Sequence, residues 1–138
     1  MSGILREGES NGKGKEFTLD KRKLIFEGEY LNGKKNGIGK EYYDNGKLKF
    51  EGEYLNGKKN GIGKEYDDYG DLKFEGEYLE GQKLKGKEYR HNGEIEFEGE
   101  YLNGERNGKG KEYYKDGKLE FEGEYLNGKK IKGKKKKK

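Results

Sequence analysis

The hexapeptide Phe-Glu-Gly-Glu-Tyr-Leu begins five times along the chain, at Phe26, Phe50, Phe74, Phe97 and Phe121. Consecutive copies lie 23 or 24 residues apart. A fixed period of this length is typical of repeat proteins, in which each unit buries its apolar face against its neighbours. The sequence therefore predicts a tandem array of similar units.

The composition is unusual for a folded protein. Charged residues make up 43% of the 138 residues and apolar residues only 27%, a mixture that usually indicates disorder. Here the charges alternate in sign and the aromatic residues return in register, which favours a folded array. Eight of the 32 basic residues lie in the last ten positions, so the other 24 accompany 28 acidic residues in a net acidic body.

Each unit has the pattern of a β-hairpin. In the segment 47–54 the even positions are Leu, Phe, Gly and Tyr, whereas the odd positions are Lys or Glu. This alternation predicts a strand with one apolar face. Asn56-Gly57 supplies the positive φ angles of a tight turn, and a second strand follows around 61–66. The predicted fold class is all-β, an elongated tandem array of antiparallel β-hairpins in a single twisted sheet.

Glycines also occur inside the predicted strands, midway between the Phe and the Tyr of each unit. Glycine normally weakens a strand, so we expect these residues to leave room for aromatic rings of adjacent strands. Glycine pairs such as Gly61 and Gly63 do not precede a helix, which a pyrophosphate-binding loop requires. The glycines are therefore interpreted as structural.

The periodicity divides the chain into three parts. A partial repeat covers 1–25, the array covers 26–128 with units starting at 26, 50, 74, 97 and 121, and a last half-repeat covers 129–138 and runs into a lysine-rich tail. The third unit is one residue shorter between Gly81 and Gly86. We interpret the shortening as drift between copies, with a distinct site beside Leu84 as the alternative.

Catalysis is not predicted. The hydroxyl residues other than tyrosine are Ser2, Ser10 and Thr18, and none has a histidine close in sequence to activate it. Carboxylate pairs such as Glu27 and Glu29 recur in every unit beside lysines, which suits a charge ladder better than a glycosidase pair. We expect a protein that is not an enzyme and has no cofactor.

No metal site is predicted either. Asp67, Asp68 and Asp71 lie close together but lack the spacing of an EF-hand loop and its closing glutamate. The only histidine, His91, precedes Asn92-Gly93 and is interpreted as an exposed turn residue.

Sequence features also bear on location. The chain has no cysteine, no apolar run near the length needed to span a bilayer and no visible signal peptide. The predicted location is cytoplasmic, with association with the cytoskeleton or a membrane as further alternatives.

The unit resembles the MORN repeat (membrane occupation and recognition nexus). The segment 50–63 has its pattern of aromatic-x-Gly-x-aromatic, a Gly-containing turn and then Asn-Gly-x-Gly, and the segment 40–48 is similar to a bacterial, antitoxin-like variant of the repeat. The resemblance runs from Gly8 to Gly133. It implies a rod or trough of hairpins with an aromatic-lined groove along one side.

The chain departs from the usual MORN pattern in four ways. Tyrosine replaces tryptophan, asparagine replaces a common histidine, most units are one residue longer, and Lys-Glu-Tyr shifts the aromatic residue of the second strand by one position. Either Tyr42 or Tyr43 could therefore face the aromatic stripe, and a β-bulge could place either one there.

The leading functional prediction is a scaffold that binds a protein or peptide, or a second copy of itself, through the groove and two unpaired sheet edges. We expect exposed faces of the repeated aromatic rings to line this groove. The predicted groove residues are Phe26, Tyr30, Phe50, Tyr54, Phe74, Tyr78, Phe97, Tyr101, Phe121 and Tyr125.

The alternative is peripheral binding to an anionic, phosphoinositide-containing membrane, which the family name suggests. Lysine pairs such as Lys34-Lys35 could assist, but the stronger signal is the basic tail. Its lysines are Lys129, Lys130, Lys132, Lys134, Lys135, Lys136, Lys137 and Lys138. Nucleic acid is the least favoured partner, because the acidic residues of the body would repel phosphates.

Overall fold

The alternating segments of the sequence form one antiparallel β-sheet. A computed structural model of the chain describes residues 4–135. The strands are β1 (Ile4–Gly8), β2 (Gly12–Thr18), β3 (Leu24–Leu31), β4 (Lys34–Tyr42), β5 (Leu48–Leu55), β6 (Lys58–Tyr66), β7 (Leu72–Leu79), β8 (Gln82–Tyr89), β9 (Ile95–Leu102), β10 (Glu105–Tyr113), β11 (Leu119–Leu126) and β12 (Lys129–Lys135).

The twelve strands follow one another in the sheet in sequence order. Every strand pairs only with strands adjacent in the chain, so the sheet is open and has its edges at β1 and β12 within the described residues. At a strand spacing of about 4.8 Å, the array extends for roughly 50 Å across the strands. The predicted fold class is confirmed.

The Asn-Gly pairs form the predicted tight turns. Asn56 has a φ of 49° and Gly57 a φ of 87°. Both residues of the turn between β5 and β6 are thus in the left-handed region, which matches the right-handed twist of the strands they join. The third unit has Glu80-Gly81 in the same conformation, with φ values of 48° and 89°.

The strand glycines form a continuous row across the sheet. Gly52 pairs with Gly39 on one side and with Gly63 on the other, and the same pairing joins all twelve strands. A Cβ atom added to Gly63 would lie 2.6 Å from the ring of Phe50. The expectation that glycines make room for rings of adjacent strands holds for second-strand glycines such as Gly63. For the first-strand glycines it is only partly right, because a Cβ at Gly52 would lie 2.6 Å from the Gly63 backbone and 2.9 Å from Phe50 of its own strand.

The buried core lies on one face of the sheet, here called the aromatic face. Its members are a Phe and a Tyr from each of β3, β5, β7, β9 and β11. The second strand of each hairpin contributes no buried aromatic residue within 4–135. A thin layer of ten rings is therefore the whole buried apolar core of the described chain.

Candidate functional site

The core rings contact one another in an unbroken zigzag along the aromatic face. The Phe50 ring lies 5.7 Å from Tyr54 of its own strand and 5.3 Å from Tyr78 of the next unit. Both pairs are nearly perpendicular, at 85° and 87°. Edge-to-face contact places the positive ring edge of one residue on the negative face of another. Each unit is therefore locked to the next by a Tyr that packs against the preceding Phe.

Each core tyrosine also has a partner for its hydroxyl group. The Tyr101 hydroxyl donates to Glu88 at 2.5 Å, and equivalent bonds join Tyr54 to Glu41 and Tyr78 to Glu65. Burial, followed by the hydrogen bond to Glu41, raises the pKa of Tyr54 well above its ordinary value. These phenols therefore stay neutral and keep donating throughout the physiological pH range.

A cation covers the outer face of each core phenylalanine. The Nζ atom of Lys59 lies 4.2 Å from the centroid of the Phe50 ring, and the guanidinium of Arg106 lies 4.1 Å from that of Phe97. Lys35, Lys83 and Lys130 cover the other three phenylalanines in the same way. These cation–π contacts shield the rings from solvent.

The predicted aromatic-lined groove is therefore wrong in one respect. The ten predicted groove residues are 0% to 7% exposed, because neighbouring rings pack against one another and a Lys or Arg covers each phenylalanine. Their rings have no exposed faces with which to line a groove. Whether a partner contacts this face remains a prediction. The ten residues are Phe26, Tyr30, Phe50, Tyr54, Phe74, Tyr78, Phe97, Tyr101, Phe121 and Tyr125.

A groove does exist, on the opposite face of the sheet. A concavity of about 940 Å³ runs across β6 to β11, and its walls are Lys and Glu side chains above the glycine row. A second concavity of about 710 Å³ lies over β1 to β4. We call this surface the charged groove.

A single ladder of alternating charges crosses the charged groove. Cross-strand neighbours along it are Glu or Lys in strict alternation, which gives each charge an opposite charge on both sides. The ladder is Glu7, Lys15, Glu27, Lys40, Glu51, Lys64, Glu75, Lys87, Glu98, Lys111, Glu122 and Lys134. The charge ladder predicted from pairs such as Glu27 and Glu29 is confirmed for Glu27. Glu29 lies outside this ladder, and its carboxylate accepts the Ile38 amide at 2.7 Å.

Tyrosines of the second strands anchor the ladder from one side. Tyr42 donates its hydroxyl to Glu27 at 2.7 Å, and Tyr66 donates to Glu51 at 2.8 Å. A register shift between Glu41 and Tyr42 is the β-bulge that the sequence left open. Its effect is that Glu41 accepts the core Tyr54 hydroxyl, whereas Tyr42 bonds to a ladder residue.

Tyr43, the other candidate for the aromatic stripe, also lies outside the buried core. Its hydroxyl donates to the Tyr66 carbonyl at 2.7 Å. Neither Tyr42 nor Tyr43 therefore joins the aromatic stripe.

A row of leucines follows the ladder on its other side. Leu55, Leu79 and Leu102 end successive first strands and are 50%, 54% and 56% exposed. By strand alternation they point to the same face as the ladder glutamates. They recur at every second strand, or about 10 Å. The row, completed by Leu31 and Leu126, is a regular line of exposed apolar side chains bordering the charged groove.

The predicted lipid-binding lysines form a strand rather than a tail as far as Lys135. Lys132 and Lys134 of β12 pair with Glu124 and Glu122 of β11. Lys130 covers the Phe121 ring at 4.9 Å, while Lys129 and Lys135 are exposed. The predicted residues Lys136, Lys137 and Lys138 lie outside the described residues. β12 thus presents a cationic edge.

The two lysines of each pair within the array have different environments. Lys35 lies over the Phe26 ring, whereas Lys34 is exposed. Only one lysine of each such pair is free to meet a membrane, because the other shields the core. The sequence signal that could have separated them is the strict recurrence of the second position, which is Lys35, Lys59, Lys83, Arg106 and Lys130.

The shortened third unit changes a turn contact. In β5–β6 the register shifts by two residues between Gly52 and Tyr54, whereas in β7–β8 it shifts by one, beside Leu84. Leu84 stands alone where the preceding unit has Asn60-Gly61, and the Asn60 side chain accepts the Glu80 amide at 3.1 Å. Leu84 itself is 42% exposed. Drift between copies, with a site beside Leu84 as the alternative, stays a prediction.

The exposed turn residue His91 has neighbours that the sequence did not reveal. Its Nδ1 atom lies 3.2 Å from Asp67 Oδ2 and 3.6 Å from Asp71 Oδ2, although its side chain is 80% exposed. The amide of Asp71 and then that of Tyr69 bond to Asp67, and with His91 they hold the pKa of Asp67 below its ordinary value. Asp68, grouped with these acids from the sequence, is not part of this cluster.

Of the three hydroxyl residues other than tyrosine, Ser10 and Thr18 lie within 4–135, whereas Ser2 lies outside the described residues. Thr18 donates to Asp20 at 2.5 Å near the β2–β3 turn, six strands away from the turn that carries His91. Within the same residues, no helix is long and apolar enough to span a membrane.

Comparison with family models agrees with the repeat geometry. The MORN repeat model matches residues 50–70 and 97–118, and the MORN repeat variant model matches residues 35–56. No curated protein matches the chain significantly. MORN repeats are scaffolds for protein or membrane interaction and are typically not enzymatic. The matched segments lie within the hairpins described above, and these parts of the chain therefore match MORN repeats.

Proposed function

We propose that the protein is a non-enzymatic scaffold that binds other proteins through the charged groove and its leucine border. The observation that carries this proposal is the leucine row. Leu31, Leu55, Leu79, Leu102 and Leu126 each expose about half of their surface along one line. A regular line of exposed apolar side chains beside charged groups is typical of protein interaction surfaces.

The chemistry of the groove indicates the kind of partner. The ladder balances Lys64 and Lys87 against Glu75 and Glu98, so neither strongly acidic nor strongly basic ligands are favoured. A protein segment with apolar side chains at intervals of about 10 Å would pack against the leucine row. If it also carries charges of both signs, these would pair with the Lys and Glu residues of the ladder.

Another protein fits better than a second copy of this chain. If β12 paired with β1 of a second copy in the internal register, Lys134 would face Glu7, as Lys111 faces Glu122. Lys132 would likewise face Glu9, but on the other side of the Lys134–Glu7 pair Lys135 would lie against Arg6. Like charges directly opposite each other on adjacent strands are destabilising.

Site-specific photocrosslinking tests the proposal. A photoreactive amino acid is placed at Leu79, at Leu102 or, as a control, at Tyr69, which is 75% exposed in a turn outside the groove. We expect the same proteins to be captured from both leucine positions and not from Tyr69. Binding of a purified captured protein should then be weakened by Leu79→Ser and Leu102→Ser but not by Tyr69→Ser. Capture that is equal from Tyr69, or absent from both leucine positions, contradicts the proposal.

A second candidate function is weak, reversible binding to an anionic membrane. The observation that favours it is β12, in which all seven residues are exposed and five are lysines. Lysines near an anionic surface contribute on the order of 1 kcal/mol each. Co-sedimentation with phosphoinositide-containing vesicles should decrease with salt and with Lys129→Gln, Lys132→Gln and Lys134→Gln combined. Binding that is equal for neutral vesicles and for this variant contradicts the membrane function.

A further inference from the structure

We propose that Asp67, Asp71 and His91 form a binding site for a divalent transition-metal ion such as Zn²⁺. One ligand atom of each residue lies within 4.8 Å of those of the other two. The site joins two successive turns on one side of the sheet, the β6–β7 turn and the β8–β9 turn. It is separate from the charged groove and its leucine row.

The distances within the cluster fit metal coordination. Ligand atoms about 2.0 to 2.1 Å from a tetrahedral Zn²⁺ lie about 3.3 Å from one another. His91 Nδ1 lies 3.2 Å from Asp67 Oδ2 and 3.6 Å from Asp71 Oδ2. The imidazole nitrogen therefore lies at the spacing of coordinated ligands from each carboxylate oxygen, and the two oxygens lie within 4.8 Å of each other, so side-chain rotation would bring all three around one ion.

The carboxylate of Asp67 is held in place for this role. Its Oδ1 atom accepts the amides of Tyr69 at 3.0 Å and Asp71 at 2.9 Å. These bonds fix the orientation of Oδ2 toward His91, in the way that outer hydrogen bonds orient metal ligands. Imidazole and carboxylate together suit Zn²⁺, Ni²⁺ or Co²⁺ rather than Ca²⁺, which prefers oxygen ligands alone.

The other turns of the array provide an internal comparison. A backbone hydrogen bond between the first and fifth residues defines the equivalent positions, and these are Tyr43 and Lys47, Arg90 and Glu94, and Tyr114 and Lys118. Each of the other turns thus begins with a hydroxyl or a guanidinium instead of a carboxylate. Tyr43 and Arg90 donate to the carbonyls of Tyr66 and Tyr113, the strand residues just before the next turn, each at 2.7 Å. Asp67 cannot donate when ionised, and here the following turn instead brings a histidine back to it.

An open side of the cluster would accommodate the remaining ligands. A cavity of about 620 Å³ is lined by Asp67 and His91 together with Lys73 and Lys115. The histidine is largely exposed, so water or a small anion held near the two lysines could complete the coordination of the ion.

The sequence makes the test unusually direct. His91 is the only histidine and the chain has no cysteine, so an imidazole-ligated metal in untagged protein reports this site alone. Co²⁺ titration followed by visible absorption, with Zn²⁺ competition, measures binding. Changes in the His91 ring resonances by NMR identify the ligand atom. We expect one ion per chain and displacement of Co²⁺ by Zn²⁺.

Four variants distinguish a built site from general attraction to carboxylates. His91→Ala, Asp67→Asn and Asp71→Asn should each weaken binding by at least about tenfold. Asp67→Asn keeps an oxygen for the Tyr69 and Asp71 amides, so the turn should persist. Asp68→Asn removes the same charge from the same turn and should leave binding unchanged. The proposal is overturned if Co²⁺ and Zn²⁺ do not perturb His91, or if Asp68→Asn weakens binding as much as the other three.

Discussion

The guanidinium of Arg106 lies 4.1 Å from the centroid of the Phe97 ring and also forms an ion pair of 2.9 Å with Glu88. Glu88 in turn accepts the hydroxyl of Tyr101, which packs against Phe97. Burial disfavours the charged form of Glu88, but the hydrogen bonds from Arg106 and Tyr101 hold its pKa below the ordinary value. One cation thus connects the ring layer to the carboxylate that anchors it.

Replacing Arg106 should test this connection. We expect Arg106→Ala to destabilise the protein by about 1 to 3 kcal/mol, because a partly buried carboxylate loses its charged donor and a ring loses its cover. Arg106→Lys should cost less than about 1 kcal/mol, since Lys59 covers Phe50 at 4.2 Å in the same position. Urea unfolding followed by circular dichroism measures both. Equal losses for the two variants would show that the charge over the ring contributes nothing.

Stability should fall at alkaline pH because of the tyrosines. Burial and then Glu16 raise the pKa of Tyr30 to about 12, and burial and then Glu27 raise that of Tyr42 to about 12, from 10.0. The unfolded chain therefore loses these protons first as the pH rises above 10, so the stabilisation is complete below about pH 10 and is lost toward pH 12.

The measurement is the free energy of unfolding as a function of pH, together with tyrosinate absorbance. We expect the contribution of the tyrosines to the free energy of unfolding to stay constant up to about pH 9 and to decrease above pH 10. Tyrosinate should form together with the loss of β-sheet signal. Full ionisation of the tyrosines near pH 10 in a chain that remains folded would show that the hydroxyl bonds to the glutamates are absent in solution.

The glycine row should not tolerate side chains. A Cβ atom at Gly63 would lie 2.6 Å from the Phe50 ring, and this ring is held by Tyr54, Tyr78 and Lys59. We expect Gly63→Ala to cost about 1 to 3 kcal/mol in thermal or urea unfolding, as overpacking of a filled core does. The neighbouring change Ile62→Ala is the control, because Ile62 is 56% exposed. A neutral Gly63→Ala would mean that the rings have room to move.

The turn after the shortened unit should be the least protected hairpin turn. The amide of Gly57 donates to the Lys35 carbonyl at 2.8 Å, and Gly81 and Gly128 donate to the equivalent carbonyls of their preceding units. Among the described residues, Gly104 has no such bond to the preceding unit. We therefore expect the Gly104 amide to exchange with deuterium faster than those of Gly57, Gly81 and Gly128 by NMR. Equal protection at all four glycines would contradict this.

Much of the fold could be predicted because its signals are local. Alternation around Phe50 defines a strand face, and Asn56-Gly57 defines a turn, so neither depends on distant residues. The exposure of the rings could not be predicted in this way. The alternation of side chains shows which face of its strand Phe50 occupies. It does not show that the side chain of Lys59 folds over the Phe50 ring.

The candidate sites are formed by residues from neighbouring repeat units. Asp67 and His91 are 24 residues apart, about one period, so their turns are neighbours once the units stack in order. The repeat spacing predicts that these two turns are neighbours, whereas the sequence of either turn alone does not. The leucine row is equally periodic in the sequence. Its position beside a groove depends on the shape of the whole sheet, which the alternation of residues along one strand does not predict.

The packing of each Tyr against the preceding Phe has a consequence for how such a chain changes over generations. Tyr54 meets Phe26 and Tyr78 meets Phe50 at the same distance of 5.3 Å, so the junctions between these units are interchangeable. Duplication or loss of one whole unit by recombination recreates a junction that already exists. An insertion of an odd number of residues within a strand instead turns the following side chains to the wrong face. Evolution can therefore adjust the length of this molecule in steps of one hairpin without redesigning its core.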